Sequence, residues 1–193
     1  MCRRMLIGLT GPARSGKDTV GDYLIAKHSF NRLSFAGPLK AMLMVGLNLD
    51  REQVNGNRKE EPIDWLDGVT PRSLMQTLGT EWGRQQHPDL WLRIAEQRIV
   101  RAGPETDIVF TDVRFDNEAK MIRSYGGNIF HISRNDVEII SGVKGHASES
   151  GVGFSMGICQ DFFLLNNHTF ESLYNQVEVV IHGIRSSTLE EVS

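Results

Sequence analysis

MLIGLTGPARSGKDTV, residues 5–20, joins an apolar run to a glycine-bounded loop and then to a helical pattern. Met5–Leu9 is the apolar run, Gly11 and Gly16 bound the loop, and Val20, Tyr23, Leu24 and Lys27 follow at helical spacing. Strand, loop and helix in this order, with the G-x4-G-K spacing, make a P-loop. The glycines let successive main-chain N–H groups turn inward on an anion. The first turn of the helix adds its positive dipole end at the same place. Gly11, Ala13, Arg14, Ser15, Gly16, Lys17, Asp18 and Thr19 are therefore the candidate ATP-binding residues. Lys17 supplies a mobile charge for the β- and γ-phosphates.

The residue after Lys17 is Asp18, where a P-loop usually has Ser or Thr. That hydroxyl normally reaches Mg²⁺, and a carboxylate is an equally hard oxygen ligand. Asp18 is thus a candidate metal ligand, with Thr19 as the alternative hydroxyl. A carboxylate in the first turn of a helix is also favoured by the dipole alone.

The chain has 193 residues, 40% hydrophobic and 23% charged, which fits one ordinary domain, 1–193, with a full core. Its net charge of −3 implies no general attraction to nucleic acid or to an acidic membrane. Cys2 and Cys159 form neither a CxxC nor a zinc spacing, which fits a reduced, cytoplasmic setting. Met1-Cys-Arg-Arg precedes only a short apolar run, so neither a signal peptide nor a membrane span is expected.

Along the chain, strands are expected at Met5–Thr10, Arg32–Phe35, Asp107–Thr111, Asn128–Ser133 and Phe162–Asn166. Helices are expected at Gly16–Lys27, Pro38–Leu47, Thr70–Gln85, Asp89–Ala102, from Asp116 to Gly126-Gly127, and over Thr169–Ile181. Thr70 suits an N-cap with Pro71 at the first helical position, and Asp116 can cap its own helix. The tail Val177–Ile181 also reads as strand. Asp50–Asp67 is polar and broken, and reads as an excursion with one short turn. Residues 134–157 are rich in glycine and polar residues and read as a lid; about 37–104 reads as a substrate-binding insertion. The alternation, headed by the P-loop, predicts an α/β fold: a three-layer P-loop NTPase architecture with a mostly parallel sheet flanked by helices.

Ligands of such sheets sit at the carboxyl ends of the strands. That rule selects Asp112 and Arg114, just after the run DIVFT at 107–111. Asp112 suits a Mg²⁺ ion or an incoming substrate, and Arg114 suits a phosphate; a structural ion pair at the strand end is the plain alternative. Arg72, Gln76 and Gly79 share one face of their expected helix, with Arg84 following, and Gly79 would admit a ligand close to the backbone. Trp82 and Trp91 suit either a stacked base or the core. Arg134 and Arg14 suit charge on a transferring phosphoryl group under a closing lid. The cluster HASE, 146–149, has neither the ligand set of a zinc site nor the setting of a nucleophile.

Six blocks, GPARSGKDT (11–19), LSFAGPLK (33–40), RSLMQTLGTEWGR (72–84), HPDLW (87–91), TDVRFDNEA (111–119) and HASE (146–149), together resemble the phage-type deoxynucleoside monophosphate kinases. In that family Asp is usual after the P-loop lysine. The resemblance implies a P-loop kinase fold with helical monophosphate-binding and lid segments, ATP as phosphoryl donor, Mg²⁺ as cofactor and a deoxynucleoside monophosphate as acceptor. It assigns the monophosphate to Arg72, Gln76, Trp91, Asp112 and Arg114. Some members are dimeric, which leaves a homodimer open; no nucleic acid or membrane partner is implied. The expected chemistry has Lys17, Arg14, Arg114 and Arg134 as catalytic residues and Asp18 and Asp112 as metal ligands. Another small-molecule kinase, such as a dephospho-coenzyme A kinase, and a non-catalytic nucleotide-binding module are the alternatives.

Overall fold

Every residue of the apolar run at the start of the chain is buried, as a parallel strand covered on both faces requires. The structure, a computed structural model, describes residues 4–134, 152–153, 155 and 161–190. Most of the expected lid, including the 146–149 cluster, lies outside the described residues. In chain order the elements are β1 (Leu6–Thr10), α1 (Lys17–His28), β2 (Asn31–Leu33), α2 (Gly37–Gly46), α3 (Arg51–Val54), 3-10 turns at Asn57–Glu60 and Asp64–Leu66, and α4 (Pro71–Gln76). A π-helical turn (Thr77–Trp82) follows, then α5 (Gly83–Gln86), α6 (Leu90–Ala102), β3 (Ile108–Phe110), α7 (Asp116–Ser124), β4 (Asn128–Ser133), β5 (Phe162–Leu165) and α8 (Phe170–Glu190). The chain divides into two compact units, Met1–Leu33 with Ile99–Ser193, and Ser34–Arg98.

The first unit holds the sheet. Its five strands are all parallel, in the order β2-β3-β1-β4-β5. Alternate residues Ile7 and Leu9 of β1, Phe130 and Ile132 of β4 and Leu164 of β5 pack on Val20 and Leu24 of α1 and on Leu173, Val177 and Ile181 of α8. On the opposite face Ile122 of α7 lies against Gly8 of β1. The sheet is therefore the middle of three layers. From β1 the chain crosses to β2 on one side, and from β3 it crosses back over β1 to β4 on the other. The order reverses about β1, so the crevice of such a sheet opens at the carboxyl end of β1. At the outer edge, the Gln176 carboxamide accepts the Leu165 N–H (2.9 Å) and donates to the Leu165 carbonyl (3.0 Å). A side chain there takes the hydrogen bonds that a further strand would make.

Three local expectations differ from the structure. The Val-rich run 177–181 is part of α8, because Leu173, Val177 and Ile181 form a buried stripe at i, i+4 and i+8. Helix α7 is not capped by Asp116, whose Oδ1 accepts the N–H of Gly153 (2.9 Å); Phe115 takes the N-cap position. The polar stretch 50–67 is built of α3 and two 3-10 turns rather than one turn. Asp50 and Gln53 cap α3 reciprocally at 2.8 and 2.9 Å. Val54 and Ile63 anchor the stretch in the core of the second unit with Leu39, Leu43, Leu49 and Trp91. Among the described residues no helix is long and apolar enough to cross a membrane.

Candidate functional site

The loop between β1 and α1 turns through three left-handed residues, Gly11 (φ 142°), Arg14 (φ 63°) and Gly16 (φ 111°). A left-handed conformation is cheap for glycine and strained for arginine. Inside the loop Ser15 N–H donates to the Pro12 carbonyl (3.3 Å), and at its end Val20 N–H donates to Gly16 (3.0 Å), which opens α1. The Lys17 ammonium folds back onto the loop and donates to the carbonyls of Gly11 (2.8 Å) and Pro12 (2.5 Å). Ser15 is fully buried, and its hydroxyl has no hydrogen-bond partner among the described residues.

Three of the expected residues act on a fourth, Lys17. Burial and the positive charge of Arg114 push the Lys17 ammonium below the ordinary lysine pKa, while Asp18 and Asp112 oppose the shift. Lys17, Asp18, Asp112 and Arg114 therefore form one electrostatic cluster at the carboxyl ends of β1 and β3. The turn that carries the latter two is tied to β1, since Val113 N–H donates to the Leu9 carbonyl (3.1 Å). Arg114 is exposed and Asp112 half-buried. Arg14 and Arg134 are exposed, one on the loop and the other directly after β4. Ala13 and Thr19 occupy the loop and the first turn of α1.

Two residues outside the expected set brace this site. Asn166, just beyond β5, is 6% exposed, and its Nδ2 donates to the Ser15 carbonyl at 2.9 Å. Glu118 of α7 is 4% exposed, and its Oε2 accepts the main-chain N–H of Arg114. The glutamate lies within the block TDVRFDNEA and was legible as a capping residue at the third helical position. Asn166 follows its strand with no local signal.

Arg72, Gln76 and Trp91 belong to the second unit. Thr70 caps their helix, accepting the Ser73 N–H (3.2 Å). Arg72 is ion-paired with Glu60, and Gln76 is exposed. Gly79 does not extend their shared face, because the chain passes into the π-helical turn at Thr77. Its backbone is approached by Leu39 and by Trp91 rather than left open. Trp91 is 5% exposed, its ring lies on Gly83, and its indole N–H donates to the Gly79 carbonyl at 2.7 Å. Trp82, in the same turn, is exposed.

Among the described residues no group of three or more His, Cys, Asp or Glu side chains is placed to hold a metal ion. Magnesium needs no such cage: one or two carboxylates beside substrate phosphates suffice. Asp18 and Asp112, both acting on Lys17, fit that requirement.

Residues 5–70 and 61–177 match the model of the deoxynucleotide monophosphate kinase family. A protein of Acanthamoeba polyphaga mimivirus whose name places it among the deoxynucleotide monophosphate kinases is 35% identical, over 90% of this chain and 94% of its own. The deoxynucleoside-5'-monophosphate kinase of Escherichia phage T5 is 28% identical, over 62% of this chain and 72% of its own. Among solved structures, a gluconokinase from Sinorhizobium meliloti 1021 aligns over 99% of this chain and all of its own, with a TM-score of 0.55 and 12% identity. That last likeness is one of fold.

Proposed function

The chain belongs to the deoxynucleotide monophosphate kinase family, and from that premise we propose that it transfers the γ-phosphoryl group of ATP to a deoxynucleoside monophosphate. The observation that carries the reading is the left-handed loop at the head of α1, with Lys17 folded onto the Gly11 and Pro12 carbonyls, beside the turn of Asp112 and Arg114 that Val113 ties to the Leu9 carbonyl. In the reaction a phosphate oxygen of the acceptor bonds to the γ-phosphorus as the bond to the β,γ-bridging oxygen breaks. The products are ADP and a deoxynucleoside diphosphate. The acceptor oxygen is already anionic, so no dedicated general base is needed.

The main-chain N–H groups of 11–17, Pro12 excepted, and the Lys17 ammonium bind the donor phosphates. Asp18 and Asp112 would hold Mg²⁺, which when bound neutralises charge on the donor phosphates. Arg72, Gln76 and Arg114 each keep the monophosphate-binding role that the family resemblance gives them. Trp91 serves it indirectly, by fixing the Gly79 backbone beyond Gln76. Arg14 and Arg134 stabilise charge on the transferring group; an arginine in that role is worth about 10³–10⁵ in rate in the best cases. We assign unit Ser34–Arg98 as the substrate-binding insertion and 134–157 as a lid. The substrates are free nucleotides, which suits a cytoplasmic enzyme working without nucleic acid or membrane, as a monomer or a homodimer.

A coupled assay of all common ribo- and deoxyribo-monophosphates with ATP, with and without Mg²⁺, tests the reading. Turnover with deoxyribonucleoside monophosphates that disappears on chelation is expected. Turnover confined to a different acceptor, or tight ATP binding with no transfer to any monophosphate, would replace it.

A further inference from the structure

The bend from loop to helix lies at the peptide between Ser15 and Gly16. A lysine ammonium has three donors. Two of those on Lys17 go to the carbonyls of Gly11 and Pro12, which brace the first half of the loop and leave one for a phosphate oxygen. The second half is braced from across the sheet. Asn166 Nδ2 donates to the Ser15 carbonyl at 2.9 Å, and the Asn166 main-chain N–H donates to the Ser133 carbonyl at 2.8 Å, so the donor is itself tied to β4. The position of Gly16 is matched to this contact. A Cβ there would lie 2.5 Å from Asn166 Nδ2, and the left-handed backbone, φ 111°, already disfavours any other residue.

In a trans peptide the carbonyl and the following N–H point in opposite directions. Holding the Ser15 carbonyl toward Asn166 therefore turns the Gly16 N–H away from it. The Ser15 side chain adds no restraint, since its buried hydroxyl has no partner among the described residues. We infer that Asn166 is a positioning residue for the donor triphosphate, acting through the Ser15 carbonyl to keep the Gly16 amide aimed at phosphate. The inference rests on the kinase reading of the P-loop. It adds a determinant of ATP affinity that lies outside every motif block.

The test compares Asn166→Asp, Asn166→Ala and Lys17→Ala with the wild type. In Asn166→Asp a carboxylate oxygen replaces the donor, so two acceptors face each other. Losing a buried hydrogen bond of this kind raises KM for ATP about tenfold in both Asn166 variants, with KM for the monophosphate unchanged. A fall in kcat with both KM values unchanged, or an equal rise in both, makes Asn166 a folding residue and overturns the inference. If Lys17→Ala keeps its ATP affinity, the P-loop reading itself fails. If Lys17→Ala loses affinity while the Asn166 variants keep it, only the inference fails. A measurement on the wild type covers variants that do not fold. The Asn166 side-chain amide resonances should shift and exchange more slowly with a non-hydrolysable ATP analogue and Mg²⁺, and not with monophosphate; no response to the analogue overturns the assignment.

Discussion

Glu118 Oε2 accepts the main-chain N–H of Arg114 at 2.8 Å and that of Phe115 at 3.1 Å. One buried oxygen thus satisfies two donors where the strand-end turn enters α7, at a helix end that would otherwise leave them orphaned. The side chain of Arg114 is exposed, so its backbone is what fixes where the guanidinium starts.

Glu118→Ala should therefore do two things. It removes the acceptor of two part-buried main-chain N–H groups, a loss of about 1 kcal/mol in stability. It also frees the Arg114 backbone, so KM for the monophosphate should rise while KM for ATP holds. Glu118→Gln retains a carbonyl oxygen and should restore most of both. Thermal melts alongside initial rates separate the effects; an alanine variant that is less stable but has an unaltered monophosphate KM would leave Glu118 with no part in placing Arg114.

Lys17 makes ATP binding sensitive to alkali. Burial and Arg114 push its ammonium below its ordinary value of 10.5, so the native protein releases this proton before the unfolded chain does. The charged form costs stability at neutral pH, and that cost is relieved as pH rises through the lowered pKa. Phosphate oxygens favour the charged form, so ATP binding takes up a proton in the window between the lowered value and 10.5. KM for ATP should rise with pH there, and calorimetry in buffers of different ionisation enthalpy should record proton uptake. Lys17→Arg, which does not titrate in that range, should lose the dependence. A flat profile in the wild type would mean that Lys17 does not meet the phosphates.

Features written in neighbouring residues were legible in the sequence, and features made by distant ones were not. The loop at 11–17 and the capped helix start at Thr70 depend on residues a few positions apart, and both are found where their residues put them. Asn166 meets Ser15 across 151 residues, and only the crossing order of the parallel strands brings them together. The π-helical turn was hidden because Leu74, Leu78 and Trp82 keep an ordinary helical spacing. What accompanies the widened turn is the Trp91 indole N–H on the Gly79 carbonyl, from a helix later in the chain. Asp116 looked like a cap because its type and position suit one, but its carboxylate is taken by Gly153.

Asp161 supplies the last prediction. Its side chain is fully buried before β5, and it gathers Arg123 (3.0 and 2.5 Å), His131 Nε2 (2.9 Å) and the Ser155 N–H (3.0 Å). Burial opposes ionisation, but the hydrogen bonds from Arg123, His131 and Ser155 outweigh it and hold the carboxyl below its ordinary value of 3.8. Between the lowered value and 3.8 the unfolded chain carries the proton and the native protein does not. The stabilisation is therefore complete above that window and is lost as pH falls through it. Asp161→Asn breaks a buried pair and should cost roughly 3 kcal/mol at neutral pH, the low end for such a pair because Arg123 keeps some exposure. Arg123 also donates to the Gly153 carbonyl (2.9 Å), so the variant should loosen Gly153 and Ser155 together with β5. Melting temperature followed against pH is the measurement. The wild type should lose stability steeply below about pH 4, and that part of the slope should flatten in Asp161→Asn. A variant with the wild-type acid limb would show that other carboxylates govern it and that this cluster does not.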